Sequence, residues 1–463
     1  MTLGVPRNIV MAFSEHDTGL TNSSPHLLIW AVHLFIISLP FQGFSILNVA
    51  DRGVAPVSWL AALLMSCVFI LQRSGSVRLG RSGSYAILFV YTALLGIFSL
   101  LDASQSQLID FATKAIQLLF SFAIFMILSS LPFTEKELRA AVRVWVITAF
   151  VVSLYGIYQL FARIYDLPLA RMELTNPSIA LDRNEARYIE GYYQVESVLS
   201  EPSYLGAYLL GPIVITLVFL LRCKADYRIV KSPAVGGMIL LVLLFAFFLT
   251  GSQAAYISLF LTLASMFFTG LVPRLKLAKV FLLFLAVFVV IGALLEIHDI
   301  GFLRAFLVRT EYLVLNILDP ARTVEITSVK VRSEAIYEAL QVWASSPFLG
   351  VGLNNMRYYT EGYEFSLGWW QLLADQGLIG MAALMFVFFS LFRTLGRVGN
   401  ESGLAPFWAG ISISLIFLLV SDMINSLFTW NWVDLQRWFS LGMANLIAIR
   451  AGKLLRRNTA HQP

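Results

Sequence analysis

Charge is scarce in this sequence: Asp, Glu, Lys and Arg make up 13% of its 463 residues, against about 25% in soluble domains. That shortage excludes a water-soluble enzyme and a disordered chain. Cysteine is almost absent, with only Cys67 and Cys223, which excludes a disulfide scaffold and a thiolate metal site. The five histidines, His16, His26, His33, His298 and His461, are scattered. Neither a metal, nor a cofactor, nor His-based catalysis is therefore expected. There is no G-x-x-x-x-G-K-[ST] loop, no H-E-x-x-H and no G-x-S-x-G. A net charge of +5 is too small to imply nucleic acid as a partner. What the chain has in abundance is apolar surface, with 58% apolar residues, 36 Phe and a mean hydropathy of +0.76. It reads as a polytopic membrane protein.

Twelve stretches approach the roughly 20 apolar residues that a membrane-crossing helix needs. They begin near His26, Val54, Tyr85, Phe111, Val144, Pro202, Pro233, Ala254, Val280, Trp369, Leu404 and Arg437. The expected fold is all-α, one polytopic domain over residues 1–463. The polar first 25 residues meet no small-residue cleavage site, so the first span reads as an uncleaved anchor. Of the 33 Lys and Arg, 20 lie in the N-terminus, alternate loops and C-terminus with six acids. The other 13 share the opposite side and span ends with 22 acids. Basic loops stay cytoplasmic, which predicts cytoplasmic termini.

Two outer loops stand out, residues 164–200 and 298–368, because most other connections are short. Long loops in compact folds usually carry function or are disordered. These are rich in Arg, Glu and Tyr, which favours ordered, functional loops. In the second, Ser333 to Ser345 place Ile336, Ala339, Leu340 and Trp343 at helical spacing, ended by Pro347 and Gly350. Arg332 then falls at the expected start of an amphipathic helix, where free N–H groups and a guanidinium suit a phosphate oxygen. Pairing with Glu334 to fix the loop is the plain alternative.

The first loop supplies Arg163, Arg171, Arg183 and Arg187, then Glu190, Glu196 and Glu201. The second supplies Arg304, Arg309, Arg322, Lys330, Arg332 and Arg357, followed by Tyr358, Tyr359, Tyr363, Trp369 and Trp370. Guanidinium groups bind phosphate bidentately and aromatic faces carry sugar rings, so the set suits a phosphorylated, glycan-bearing lipid. Anchoring at the bilayer interface explains the aromatics equally well. Ser200-Glu201-Pro202-Ser203 reads as a helix start, with Ser200 as N-cap and Pro202 in the first turn. Its positive end suits a pyrophosphate, with Glu201 or Glu196 near enough to accept a hydroxyl proton; a capped helix whose Glu201 offsets the dipole is the alternative.

Three stretches carry a family likeness. Arg187 to Leu210 reads R-Y-I-E-G-Y-Y-Q-V-E-S-V-L-S-E-P-S-Y-L-G-A-Y-L-L, Thr250 to Tyr256 reads T-G-S-Q-A-A-Y, and the third runs from Arg332 through S-P-F-L-G-V-G (Ser346 to Gly352) to A-D-Q-G-L-I-G (Ala374 to Gly380). In order, spacing and topology they resemble the O-antigen polymerase and ligase family of bacterial inner-membrane glycosyltransferases. The resemblance implies transfer of a polyprenyl-diphosphate-linked oligosaccharide at the periplasmic face, without metal or cofactor, beside a flippase and a chain-length regulator. It matches Arg187 and Arg332 to the family's loop arginines and Glu201 to its E-P step; with Glu196 these are the expected catalytic residues, and Arg183, Arg322, Arg357, Tyr192, Tyr204 and Gln253 are the expected substrate contacts. Arg357 also opens an R-x10-G spacing that ends at Gly368.

Two departures matter. The tight hairpin usually carries Arg where this chain has Gln253, so a third cation must come from elsewhere, Arg183 or Arg322. Ligases usually place His-Asn where this chain has Ser366-Leu367-Gly368-Trp369, which favours a polymerase. The competing expectations are a ligase, a lipid-sugar transferase with Asp51 as base, and a twelve-span secondary transporter. Against the transporter, the span charges Lys114, Arg143 and Asp422 fall at span ends rather than near the midplane.

Overall fold

The computed structural model describes residues 25–45, 48–49, 52–53, 56–72, 80–100, 104–170, 172, 188–189, 192–223, 229–230, 232–297, 300–308, 311, 327–360, 368–401, 405–429 and 434–460. Every stretch expected to cross the membrane is helical. In order these are α1 (Pro25–Ser38), α2 (Val57–Leu71), α3 (Gly80–Leu95), α4 (Gln105–Ser130), α5 (Glu135–Ile164), α6 (Pro202–Arg222), α7 (Pro233–Leu249), α8 (Gln253–Thr269) and α9 (Arg274–Ile297), then α11 (Trp369–Asn400), α12 (Pro406–Asn425) and α13 (Leu435–Ala460). Between α9 and α11, α10 (Thr327–Ser345) is the amphipathic helix of the second long loop. Strands among the described residues are two tiny hairpins, β1 (Asn48–Val49) with β2 (Arg52–Gly53), and β3 (Tyr188–Ile189) with β4 (Tyr192–Tyr193).

Seven helices among the described residues are long and apolar enough to cross a membrane: α3 with its 3-10 extension, α4, α5, α6, α9, α11 and α12. The apolar helices α1, α2, α7 and α8 are shorter. The 17 residues of α7 rise about 25 Å, less than the about 30 Å of a hydrocarbon core. Helix α13 is more polar because its last turns carry Arg450, Lys453, Arg456 and Arg457.

Several helices begin earlier than their apolar runs, and capping explains two of them. Ser104 and Thr134 each form a capping box: their hydroxyls accept the N–H of Gln107 and Glu137, whose side chains accept the cap N–H at 2.8 and 2.6 Å. Replacing Thr134 with Ala should cost about 1 kcal/mol, read as a lowered unfolding midpoint in detergent. An unchanged midpoint would mean that the cap does not hold the start of α5.

Helices α6 and α12 are the core, each with 83% of its apolar stretch buried, whereas α9 buries 18% and lies at the periphery. Trp145 of α5 closes against Gly211 of α6, where an added Cβ would lie 2.9 Å from the indole. Leu418 of α12 reaches the same glycine.

The two ends of the bundle are chemically different. At one, basic side chains bind backbone carbonyls of helix ends and connections: Arg143 donates to Ile229 O (3.0 Å), Arg222 to Gly399 O (2.9 Å) and Arg450 to Leu131 O (2.8 Å). The other, the loop end, gathers the polar segments between helices. There the C-terminus of α12 is a hub. Asn425 accepts from Ser258 of α8, Trp369 of α11 donates its N–H to Ser426 O (3.1 Å) and its indole N–H to Met423 O (2.8 Å), and Arg437 of α13 donates to Ser426 Oγ.

Candidate functional site at the loop end

Residues 192–200, which lead into α6, are threaded between helices and almost wholly buried. Many of their polar groups are matched by neighbouring elements. Val195 N–H donates to Leu249 O (3.1 Å), as does the Tyr192 hydroxyl, and the Gln194 amide donates to Thr250 O (3.0 Å), so the segment covers the C-terminus of α7. The Gln159 side chain of α5 accepts the N–H groups of Glu196 (3.2 Å) and Ser197 (2.9 Å).

Arg163, in the last turn of α5, ties this segment to the start of the long loop. Its Nε donates to Ala170 O (3.2 Å), Nη1 to Gln194 O (2.9 Å) and Nη2 to Glu196 Oε1 (3.0 Å). The ion pair is buried, with side chains 6% and 7% exposed. One guanidinium therefore closes the neck of the first long loop and engages Glu196.

Glu201 is less enclosed. It is half-buried, with β-region φ/ψ at the N-cap of α6, Pro202 in the next position, and Ser203 Oγ donating to its carboxylate at 3.1 Å. The cap is thus Glu201 rather than Ser200, because Pro202 takes the first helical position and forces the residue before it into extended backbone. Beside this segment the hairpin joining α7 to α8 turns at Gly251, with φ of 61°, and Ser252 caps α8 through Ala255 N–H (3.4 Å). A small cavity, with room for about one water, opens here, lined by Tyr192, Gln194, Gln253, Tyr256, Phe302 and Phe306 among others. Half of its lining residues are aromatic. Gln253 Nε2 is buried and meets no partner among the described residues.

The second group is built on a break in α11. At Gly377 the backbone takes φ 61° and ψ −164°, so the helical hydrogen bonds around it cannot form. Residues of the S-P-F-L-G-V-G segment replace them: Val351 and Gly352 N–H donate to Ala374 and Asp375 O (2.9 Å each), while Leu378 and Ile379 N–H donate to Pro347 and Phe348 O (2.9 and 3.2 Å). Two motifs that stand apart in the sequence are one interlocked unit. The segment goes on to a 3-10 turn, Met356–Tyr358, where Arg357 pairs with Asp110 of α4 and lies 5.0 Å from the Tyr358 ring centroid.

A third charged cluster joins α12 to α13. Arg437 is 2% exposed and interacts with Asp422 and Asp434. Burial pushes the Asp434 carboxyl above its usual range, opposed by the N–H of Gln436 (2.7 Å) and the Arg437 charge.

Of the residues expected from sequence, Tyr192 and Gln253 share the cavity, Glu196 and Glu201 flank one buried turn, and Tyr204 stands in the first turn of α6. Arg357 belongs to the α4 and α11 group. Arg183, Arg187, Arg322 and Asp51 lie outside the described residues, as does the side chain of Arg332. Helix α10 starts at Thr327 rather than Ser333, which puts Arg332 inside it, past the free N–H groups of its first turn. An anion at Arg332 would meet the guanidinium without the help of a helix end.

Sequence reasoning missed Gln159, Asp375, Asp434 and the clamp made by Arg163. Only Asp375 carried a signal, its place in A-D-Q-G. Among the described residues no group of three His, Cys, Asp or Glu side chains is placed to hold a metal. No family model and no curated protein matches this chain.

Proposed function

We propose that this protein is a polysaccharide polymerase that transfers a polyprenyl-diphosphate-linked glycan chain onto a second lipid-linked repeat unit at the periplasmic face of a bacterial inner membrane. The observation that carries this reading is convergence. The segment ending in Glu201, the Gly251 hairpin and the interlocked 347–379 unit all stand at one end of the bundle, joined through α12.

In the proposed reaction a hydroxyl of the acceptor repeat attacks the anomeric carbon of the donor, forming the glycosidic C–O bond. The C–O bond to polyprenyl diphosphate breaks, and the leaving group takes the electron pair. Arg187 and Arg332 stabilise the charge growing on that diphosphate, as fixed cations do in a site shielded from water. Glu201 is the better placed acceptor for the hydroxyl proton, since Glu196 is engaged by Arg163. Polyprenyl diphosphate is a good leaving group, so positioning and electrostatics suffice.

The test is polymer formation by the purified protein in lipid nanodiscs supplied with lipid-linked repeats. Arg332→Ala should reduce the ladder to single repeats with protein abundance unchanged. A normal ladder from that variant would overturn the assignment. Transfer to a different acceptor would identify a ligase, and solute flux without polymer would identify a transporter.

A further inference from the structure

The break in α11 holds a buried carboxylate that the transfer chemistry does not use. Asp375 is 3% exposed and is gripped by dipoles: the backbone N–H groups of Asn354 (2.9 Å) and Met356 (3.1 Å) donate to its two oxygens, with Asn355 N–H and the Gln371 side chain adding to them. Asn354 has φ of 63°, a left-handed residue of the kind that lets successive N–H groups converge on one anion. Arg357 follows directly after this nest and reaches Asp110 of α4. Helix α10 rests on the same unit, since its Ala339 and Val342 pack with Val351, Met356 and Ala374. Movement of residues 354–356 would therefore carry both Arg357 and the helix that bears Arg332.

We propose that Asp375 is a positioning residue for glycan transfer: through the Asn354–Met356 nest, its carboxylate sets where Arg357 and the Arg332 helix stand at the loop end. This role rests on the polymerase reading above. A misplacement of about 1 Å is enough to cost about 10²-fold in rate.

Asp375→Asn keeps the size of the side chain but turns one acceptor into a donor that faces an N–H. Gln371→Leu, the milder variant, removes only a side-chain donor. In nanodiscs both should lower kcat for chain extension, Asp375→Asn by about 10²-fold, with KM for the lipid-linked repeat little changed.

Geometry is read separately. In a Cys67→Ser, Cys223→Ser background, Asp110→Cys with Arg357→Cys should join through a short thiol-reactive cross-linker, and the yield should fall when Asp375→Asn or Gln371→Leu is added. Loss of both kcat and cross-linking supports the proposal. An unchanged kcat, or an unchanged cross-link yield in both variants, overturns it. Absence of any polymer from the unsubstituted protein would instead sink the polymerase reading, and the cross-link yield would still show whether Asp375 places Arg357.

Discussion

Replacing Arg163 with Met is expected to destabilise the protein by about 3–5 kcal/mol, the usual result of removing one partner from a buried ion pair. Three carbonyl or carboxylate acceptors, Ala170 O, Gln194 O and Glu196 Oε1, lose their donor at once. The Glu196 carboxylate, 7% exposed, is left without that cation. The cost is dominated by the stranded charge rather than by the net value of the pair. A double change, Arg163→Met with Glu196→Gln, should therefore be more stable than the single change, because a neutral amide is cheaper to bury than a carboxylate. Unfolding midpoints of the three proteins in detergent settle the matter. If the single variant is as stable as the parent, or the double variant is worse, the clamp does not hold the loop neck. The same measurements bear on function, because Arg163 holds the chain five residues before Glu201.

Gly377→Ala should be comparably damaging. The backbone there, φ 61° and ψ −164°, lies in a region open essentially to glycine alone, at a cost of about 1–3 kcal/mol for other residues. Space is a second obstacle, since an added Cβ would sit 2.4 Å from the Phe348 carbonyl, and overpacking adds about 1–3 kcal/mol. Gly350 meets the break from the other side, its Cβ position 2.4 Å from the Asp375 carbonyl, so Gly350→Ala should fail in the same way. Within the same helix as Gly377, Gly396 has nothing within 4 Å of an added Cβ, and Gly396→Ala should stabilise by about 1 kcal/mol through helix propensity. Opposite signs for two Gly→Ala changes in one helix are the expected outcome. A loss smaller than about 1 kcal/mol at Gly377 would mean that the interlocking of the 347–379 unit is looser than its hydrogen bonds imply.

The helices were legible in the sequence because a backbone placed in hydrocarbon must satisfy its own hydrogen bonds, so each long apolar run has little choice but to be helical. Their ends were less legible. Caps such as Ser104 and Thr134 lie outside the apolar runs, and α10 begins at Thr327, well before its apolar spacing does. The grouping of Tyr192 with Gln253, and of S-P-F-L-G-V-G with A-D-Q-G, followed from motifs visible in the sequence. Their physical relation did not, because backbone bonds such as Val351 to Ala374 depend on chain direction and leave no pattern in side chains.

Scarcity of charge determined that this chain lives in a bilayer, and the placement of its few basic residues predicted which way it faces. How those charges are paired was a tertiary decision. Folding engages Arg163 with Glu196, Arg357 with Asp110 and Arg437 with Asp422 and Asp434, while Glu201 is left half-buried at the start of α6. Residue type fixes a charge, but how deeply it is buried and what it pairs with depend on partners brought from distant parts of the chain. Burial makes that difference large, since an ionised group shielded from water must find its counter-charge or dipoles within the fold.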